Sequence, residues 1–454
     1  MKHRVYLHRL GCPKLDVDSD LLSGGLHQRG LEFTETSDGA DTIIVSTCAF
    51  IGEARAEAID AILEAVRWKE EQLGRRVYVI GCLPSRYSYQ LNMEIPEVDG
   101  WFFQQQWSQA LDIISGQSNG FSLSTRLEPA LVRRRDHRGK IPEALETWLM
   151  SLRIRTKEPY AYVKIAEGCD RKCAYCAIPV IRGSYRSRPP DAILNEVRDL
   201  LKRGVREIIV IAEEINSYGH DLHPAASITT LLPKIGELVA LAEKPAWVRV
   251  LYTHPPLYRE SFIQALRHTP ALVPYLDFPI EHADDTVLRA MRRGTTWTQM
   301  RHWIDRLRET IPGIALRSSV IVGHPGETVQ EFETLLERLD EVQFERLGVF
   351  RYSEEEGTYA ANLEAPPHED ASRREEEILT LAWEQAENWS RELLGQRAEV
   401  IIERAKDEHR FIGRSLWDAP EIDGEAEFWG DASIGEIVSG VIIETSPYMM
   451  KVRS

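Results

Sequence analysis

A chain of 454 residues is longer than one ordinary domain and implies two or three. With 43% hydrophobic and 28% charged residues and no long apolar run, it reads as a soluble globular protein without a transmembrane helix. The net charge of −16 argues against a broad grip on nucleic acid, which needs a basic face, and favours a basic partner. The first residues, MKHRVYLHRLGC, lack the apolar core of a secretory signal, so a cytoplasmic protein is expected.

Residues 1–130 read as an α/β domain with a doubly wound parallel sheet. Val5–Leu7, Thr42–Val45 and Val77–Ile80 are its predicted strands, separated by helical patterns over Asp18–Arg29 and Ile51–Glu71. Residues 131–157 read as a linker. Its basic cluster, Arg133, Arg134, Arg135, Arg138 and Lys140, is either a solvated connector or a local contact to an acidic partner or nucleic-acid backbone. Over 158–392 strands and helices alternate again. Strands are predicted at Tyr160–Ile165, Glu207–Ile211, Trp247–Leu251, Tyr275–Phe278, Leu316–Val322 and Leu347–Arg351. Six such units imply a partial, TIM-like (β/α)6 barrel. A helix over Arg373–Leu394 leads into residues 393–454, whose short alternating runs between turns predict a small antiparallel β-barrel. This tail is acidic, with seven Lys or Arg against twelve Asp or Glu from residue 395 onward.

The six cysteines fall into two groups of three. Cys169, Cys173 and Cys176 have a C-x3-C-x2-C spacing in the loop after the first barrel strand. Three thiolates this close can hold three irons of a cubane cluster and leave the fourth iron open to a small molecule. Zinc is the rival, but it wants a fourth nearby ligand, and no His or Cys follows soon after Cys176. Cys12, Cys48 and Cys82 are far apart in sequence, yet each follows a predicted parallel strand. Loops after parallel strands share one edge, where ligands bind, so a second three-thiolate site is expected there. Scattered core cysteines are the plainer alternative.

Other segments add to this pattern. Ile321–Glu327, IVGHPGE, follows the fifth barrel strand, and its Gly323 and Gly326 would let the backbone approach a ligand or simply make a tight turn. Glu213 and Glu214 end the second strand, as cofactor contacts or as N-terminal charges of a following helix. Trp417 and Trp429 in the tail are contact candidates or barrel packing. No phosphate-binding P-loop and no dinucleotide fingerprint is present.

The cysteine loop resembles that of the radical S-adenosylmethionine superfamily. The ordered set GCPK (Gly11–Lys14), VDSD (Val17–Asp20), STCAFI (Ser46–Ile51), GCLPSRY (Gly81–Tyr87), YAYVKIAEGCDRKCAYCAIP (Tyr160–Pro179), YLDFPIEH (Tyr275–His282), IVGHPGET (Ile321–Thr328) and YSEEEGTYA (Tyr352–Ala360) resembles the methylthiotransferase family over the whole chain. The resemblance implies an N-terminal methylthiotransferase domain, a radical S-adenosylmethionine barrel and a C-terminal TRAM domain. It implies two 4Fe–4S clusters, one on Cys169, Cys173 and Cys176 and an auxiliary one on Cys12, Cys48 and Cys82, with S-adenosylmethionine on the open iron of the first. Tyr175 matches the family's aromatic position beside the adenine, or else packs the loop. GCPK with VDSD, YSEEEGTYA and DAPEIDG (Asp418–Gly424) resemble the branch that methylthiolates the β-carbon of an aspartate in ribosomal small-subunit protein twelve. That branch implies a basic protein substrate, a possible ribosome contact and an electron donor that the sequence does not name. A tRNA adenosine methylthiotransferase, and a non-enzymatic iron–sulfur or RNA-binding protein, are the alternatives. Leu15-Asp16, Glu213 and Glu281 depart from the family pattern, the two glutamates standing where Gln is usual.

Overall fold

A computed structural model describes residues 3–103, 106–116, 153 and 158–454. The basic cluster Arg133–Lys140 and the rest of the expected linker, apart from Arg153, lie outside the described residues. Among the described residues no helix is long and apolar enough to cross a membrane.

The first layer is a five-stranded sheet of β1 (Arg4–Arg9), β2 (Glu32–Thr34), β3 (Thr42–Thr47), β4 (Arg76–Gly81) and β5 (Gly100–Phe102). Its spatial order is β2-β1-β3-β4-β5, and every pairing is parallel. Strand alternation decides the two faces. Ile44, Tyr78 and Ile80 pack against α1 (Pro13–Gln28) and α4 (Trp107–Ile114). Ile43, Val45, Val77 and Val79 pack against α2 (Gly52–Glu70) and α3 (Cys82–Glu94). The sheet is thus doubly wound, as expected. The sequence pattern misses β2 and β5 because each is a three-residue edge strand, too short to show a period.

The second unit has six parallel strands in one row. β6 (Tyr160–Lys164), β9 (Glu207–Ile211) and β10 (Trp247–Val250) form one sheet; β11 (Tyr275–Asp277), β12 (Ala315–Val322) and β13 (Arg346–Arg351) form the next. A bridge between Val248 and Leu272 joins them. A short antiparallel pair, β7 (Ala166–Glu167) with β8 (Arg186–Ser187), sits in the cysteine loop. Outward-facing residues such as Val163, Ile208, Val210, Val248, Leu276, Leu316 and Val320 are buried under α6 (Pro190–Lys202), α7 (Ile228–Ala240), α8 (Glu260–His268), α9 (Asp285–Ala290), α10 (Trp297–Thr310) and α11 (Val329–Val342). Sequence-coded caps start these helices: Asp284 accepts from the Thr286 and Val287 amides, and Thr328 with Glu331 forms a capping box. Preceding them, α5 (Ile178–Arg182) follows the third loop cysteine.

The 25-residue helix α12 (His368–Glu392) leads into a closed barrel of β14 (Arg397–Ala405), β15 (Arg410–Ser415), β16 (Glu425–Trp429), β18 (Met449–Arg453) and β17 (Ile437–Ser446), in that order round the ring. It is not wholly antiparallel, because β16 and β18 pair in parallel. A closed ring with an odd number of strands cannot alternate direction throughout, so one parallel pair is unavoidable.

This small barrel docks under the N-terminal ends of the larger row. Asp418 is fully buried and accepts from Arg346 Nη2 at 2.5 Å and from the Gly424 amide at 3.1 Å. Tyr275 donates to Asp423 at 2.7 Å, and Glu207 accepts from both Arg249 (2.6 Å) and Arg414 (2.5 Å). Trp417 packs edge-on against Trp389 and donates to the Gly313 carbonyl, so its role is packing between domains. Replacing Asp418 with Ala leaves the Arg346 guanidinium buried without its carboxylate. Urea unfolding of Asp418→Ala is expected to show a loss of about 3–5 kcal/mol relative to the parent protein.

Candidate active site

The three N-terminal cysteines lie at the carboxyl edge of neighbouring strands. Cys12 caps the start of α1 after β1, Cys48 follows β3, and Cys82 opens α3 after β4. In this strand order the winding reverses between β1 and β3, and such a reversal opens a crevice at the strand ends. Cys12 and Cys48 flank that crevice. Gly81 adopts φ 105°, and a Cβ there would meet the Thr47 carbonyl at 2.6 Å, so only glycine lets the chain turn from β4 into Cys82. The thiols lie close enough to disfavour one another's ionised forms. Burial and then Cys12 push Cys48 up. Burial raises Cys82 to about 12, against the opposing pull of the Arg182 guanidinium.

The second set follows β6. Gly168, at φ 73°, lets the loop pass against the Ser184 and Gly183 carbonyls, and Cys169 donates its amide to Gly183 at 3.1 Å. Cys169 Sγ accepts from the Arg171 amide at 3.4 Å, and Arg293 Nη1 approaches Cys173 Sγ at 3.9 Å. Burial pushes Cys169 up to about 12, and Cys176 is raised by burial and by Cys173. Among the described residues, no three His, Cys, Asp or Glu side chains close around a single ion. All six cysteines are free of disulfides. Each set offers three thiols and no fourth Cys, which suits a cube with one open iron better than a closed tetrahedral zinc site.

Charged side chains knit the two sets together. Arg182, at the end of α5 and 2% exposed, reaches Cys82 Sγ at 3.5 Å, Glu167 at 2.7 Å, Asp18 at 3.4 Å and Glu213 at 3.3 Å. Lys164 stands 2.5 Å from Asp18 and 2.6 Å from Glu167. Arg153 joins Asp20 to Glu196. Burial is the main cause of the raised Cys82, Cys169 and Cys176 thiols, and the Glu213 carboxylate adds a small push to each. Ala177 and Ile181, just past the loop cysteines, share an apolar cluster with Leu15, Cys82 and Leu83. The two triads therefore face one seam rather than opposite sides of the molecule.

A second latch holds the seam. Arg86 donates to Glu355 at 2.5 Å and to the Ala49 carbonyl at 3.0 Å; Arg55 also pairs with Glu355, and the Gly52 amide donates to Ser353 at 3.1 Å.

The remaining predicted residues gather on the barrel side of the loop. Tyr175 lies 3.4 Å from Arg293 through its hydroxyl and edge-on to the His324 ring at 6.2 Å. The turn containing His324 is shaped by Glu327, which accepts from the Gly323 and His324 amides and pairs with Arg374. Gly323 (φ 75°) lies against Ala371 of α12, and a Cβ at Gly326 (φ 91°) would make an ordinary contact with Ala290 at 3.7 Å. Glu281 pairs with Arg293 at 3.4 Å, and Glu214 accepts from the Ser217 amide. Burial pushes His254 down to about 2 and His324 to about 4, so both are neutral at physiological pH. Trp429, the other tail tryptophan, lies under the Arg453 guanidinium.

Sequence reading did not assign roles to Arg182, Arg293, Lys164 and Glu167. Their partners were nonetheless in view: VDSD supplies Asp18 and Asp20, YAYVKIAEG supplies Lys164 and Glu167, GCLPSRY supplies Arg86, and YSEEEGTYA supplies Glu355. Motifs remote in sequence are reciprocal ion-pair partners, a signal that charge matching between them could have exposed.

Three family models match the chain: the Radical SAM superfamily over residues 163–339, the Uncharacterized protein family UPF0004 over 4–103 and the TRAM domain over 394–453. Among solved structures, the radical S-adenosylmethionine methyltransferase TsrM from Kitasatospora setae, with tryptophan and a cofactor analogue bound, shares the fold. Its TM-score is 0.55 at 14% identity, over 77% of this chain and 73% of that one. Fold and matched domains define a radical S-adenosylmethionine enzyme. Curated relatives narrow this. The chain is 40% identical to the ribosomal protein uS12 methylthiotransferase RimO of Desulforamulus reducens, over 93% of each chain. It is 40% identical to that of Geobacter sulfurreducens (98% and 97% covered) and 38% to that of Thermotoga maritima (98% and 99%). The chain belongs to the RimO family of radical S-adenosylmethionine methylthiotransferases.

The seam is sensitive to acid. Burial works to raise the Glu167 carboxyl, but Lys164 and Arg182 outweigh it and hold the group at about 2. A carboxylate depressed in the folded state stabilises the protein above its unfolded pKa, and that stability is lost as pH falls through the folded one. Urea midpoints are expected to drop between about pH 4.5 and pH 2, and Glu167→Gln is expected to flatten this slope.

Proposed function

We propose that this chain inserts a methylthio group at the β-carbon of an aspartate in the ribosomal protein uS12, in the cytoplasm. Cys169, Cys173 and Cys176 would hold one 4Fe–4S cluster, and Cys12, Cys48 and Cys82 an auxiliary one. The observation that carries this reading is the single seam shared by both triads, spanned by Arg182 and Glu213. The donor sets fit: each offers three free thiols at strand ends and no further cysteine. When bound, the clusters and S-adenosylmethionine supply one-electron chemistry for a C–H bond too weakly acidic for a general base, together with the sulfur to be inserted.

The chain's own residues do the positioning. Arg182 donates toward Cys82 and would offset the charge of a ligated thiolate. Arg293 does the same at Cys173 while it holds the Tyr175 hydroxyl and the Pro279 carbonyl. Tyr175, Gly323 and Gly326 would border the adenosine, with Glu327 fixing the turn that presents the two glycines. Neutral His254 and His324 leave that side free of extra positive charge. The overall charge of −16 would draw in a basic ribosomal protein, and a ribosome contact would run through that protein rather than through its RNA.

Co-expression with uS12, followed by mass spectrometry of uS12 and of total tRNA, tests the substrate. One methylthio group on a uS12 aspartate is expected; methylthiolated tRNA with unmodified uS12 overturns the reading. Cys82→Ala and Cys173→Ala should each remove about half of the iron after anaerobic reconstitution. Only Cys173→Ala should abolish reductive cleavage of S-adenosylmethionine.

A further inference from the structure

One cation in the seam lacks the partners its neighbours have. Lys164 and Arg182 each have carboxylate oxygens within 2.7 Å. Lys14 is buried to 7% exposure, yet its Nζ makes no hydrogen bond among the described residues. The nearest carboxylate, Glu213, is 3.8 Å away. The other close neighbour is the face of Tyr252, whose ring centroid is 3.1 Å from Nζ. An aromatic face attracts an ammonium but accepts no conventional hydrogen bond, so three donors stay open in a place where open donors are costly.

The fold keeps Tyr252 in position at some expense. Its φ is 62°, a left-handed conformation that a bulky residue rarely adopts. The Tyr252 amide is held by Asp277 at 2.9 Å, and its carbonyl accepts from Ile215 at 3.2 Å. Lys14 itself is on the first turn of α1, two residues beyond Cys12. Its carboxylate neighbour, Glu213, lies 3.3 Å from Arg182, which reaches Cys82 Sγ and follows Cys176 on α5. An ammonium with free donors thus stands in the seam the two triads share.

We propose that Lys14 anchors the side-chain carboxylate of the aspartate to be modified, and so determines specificity for that residue. This rests on the function proposed above. In aspartate the carboxyl carbon is bonded directly to the β-carbon, so a clamp on the carboxylate fixes the reacting carbon one bond away. Tyr252 walls one side of the ammonium and leaves its donors to the incoming carboxylate. An asparagine has the same shape but no charge to offer, and a glutamate would displace the reacting carbon by one bond.

The test compares binding of uS12 and of uS12 carrying Asp→Asn at the modified position to the reconstituted enzyme. Loss of a charged, buried hydrogen bond should weaken the asparagine form by about 10- to 100-fold with the parent enzyme. With Lys14→Met the two forms should bind almost equally, and Lys14→Arg, which keeps the charge, should restore part of the preference. Equal binding of both forms by the parent enzyme overturns the proposal without recourse to any variant. So does a full preference retained by Lys14→Met while the parent still methylthiolates uS12; this sinks the Lys14 assignment alone. If the parent leaves uS12 unmodified, the proposed function fails and the anchor fails with it.

Discussion

The arrangement of this enzyme depends on one buried exchange of charge between two domains. Asp18 from α1 of the N-terminal domain meets Lys164 and Arg182 from the barrel, and Glu167 and Glu213 complete the set. Buried ion pairs contribute little net stability, because desolvation offsets attraction, but breaking one strands a charge. Their value is therefore in register. Any sliding of the N-terminal domain along the barrel would part Asp18 from Lys164 and Arg182 and strand its buried charge. The same Arg182 touches Cys82, so the distance between the two cysteine sets is fixed by the side chain that locks the domains.

Topology explains why six cysteines end up at one seam. In both sheets the strands run parallel, so each sheet has a carboxyl edge from which all its loops emerge. Cys12, Cys48 and Cys82 belong to the adjacent strands β1, β3 and β4, and the loop at Cys169 leaves the outer strand β6. The opposite edge of the barrel is given over to packing. There DAPEIDG, a segment read only as a mark of the family branch, serves to dock the tail, with Asp418 on Arg346 and Asp423 on Tyr275.

Much of this was legible in the sequence. The apolar runs at Thr42–Val45, Val77–Ile80 and Glu207–Ile211 locate their strands within a residue or two, because strands buried on both faces read as continuous hydrophobic stretches. The cysteine spacing and the glycine beside Cys82 were equally plain. The edge strands β2 and β5 were not, being too short to carry a pattern. The parallel β16–β18 pair follows from ring closure rather than from any residue. The seam was legible only as unexplained motifs: Lys14 and Asp18 lie in strings whose chemical roles depend on residues about 150 or 200 positions away, and no local pattern encodes that pairing.

The two latches of the seam sit at opposite ends of the strand row. β6 and β13 are the outermost strands of the six. Lys164 and Glu167, beside β6, and the loop carrying Glu355, beyond β13, are both gripped by the N-terminal domain. That domain therefore spans the gap that two further strand–helix units would close in a complete eight-unit barrel. The reaction chamber has a borrowed wall. A second fold covers that opening, and the same fold brings Cys12, Cys48 and Cys82 to the strand ends that face the barrel. Closure of the barrel and placement of the second cysteine set are thereby the work of the same piece of protein.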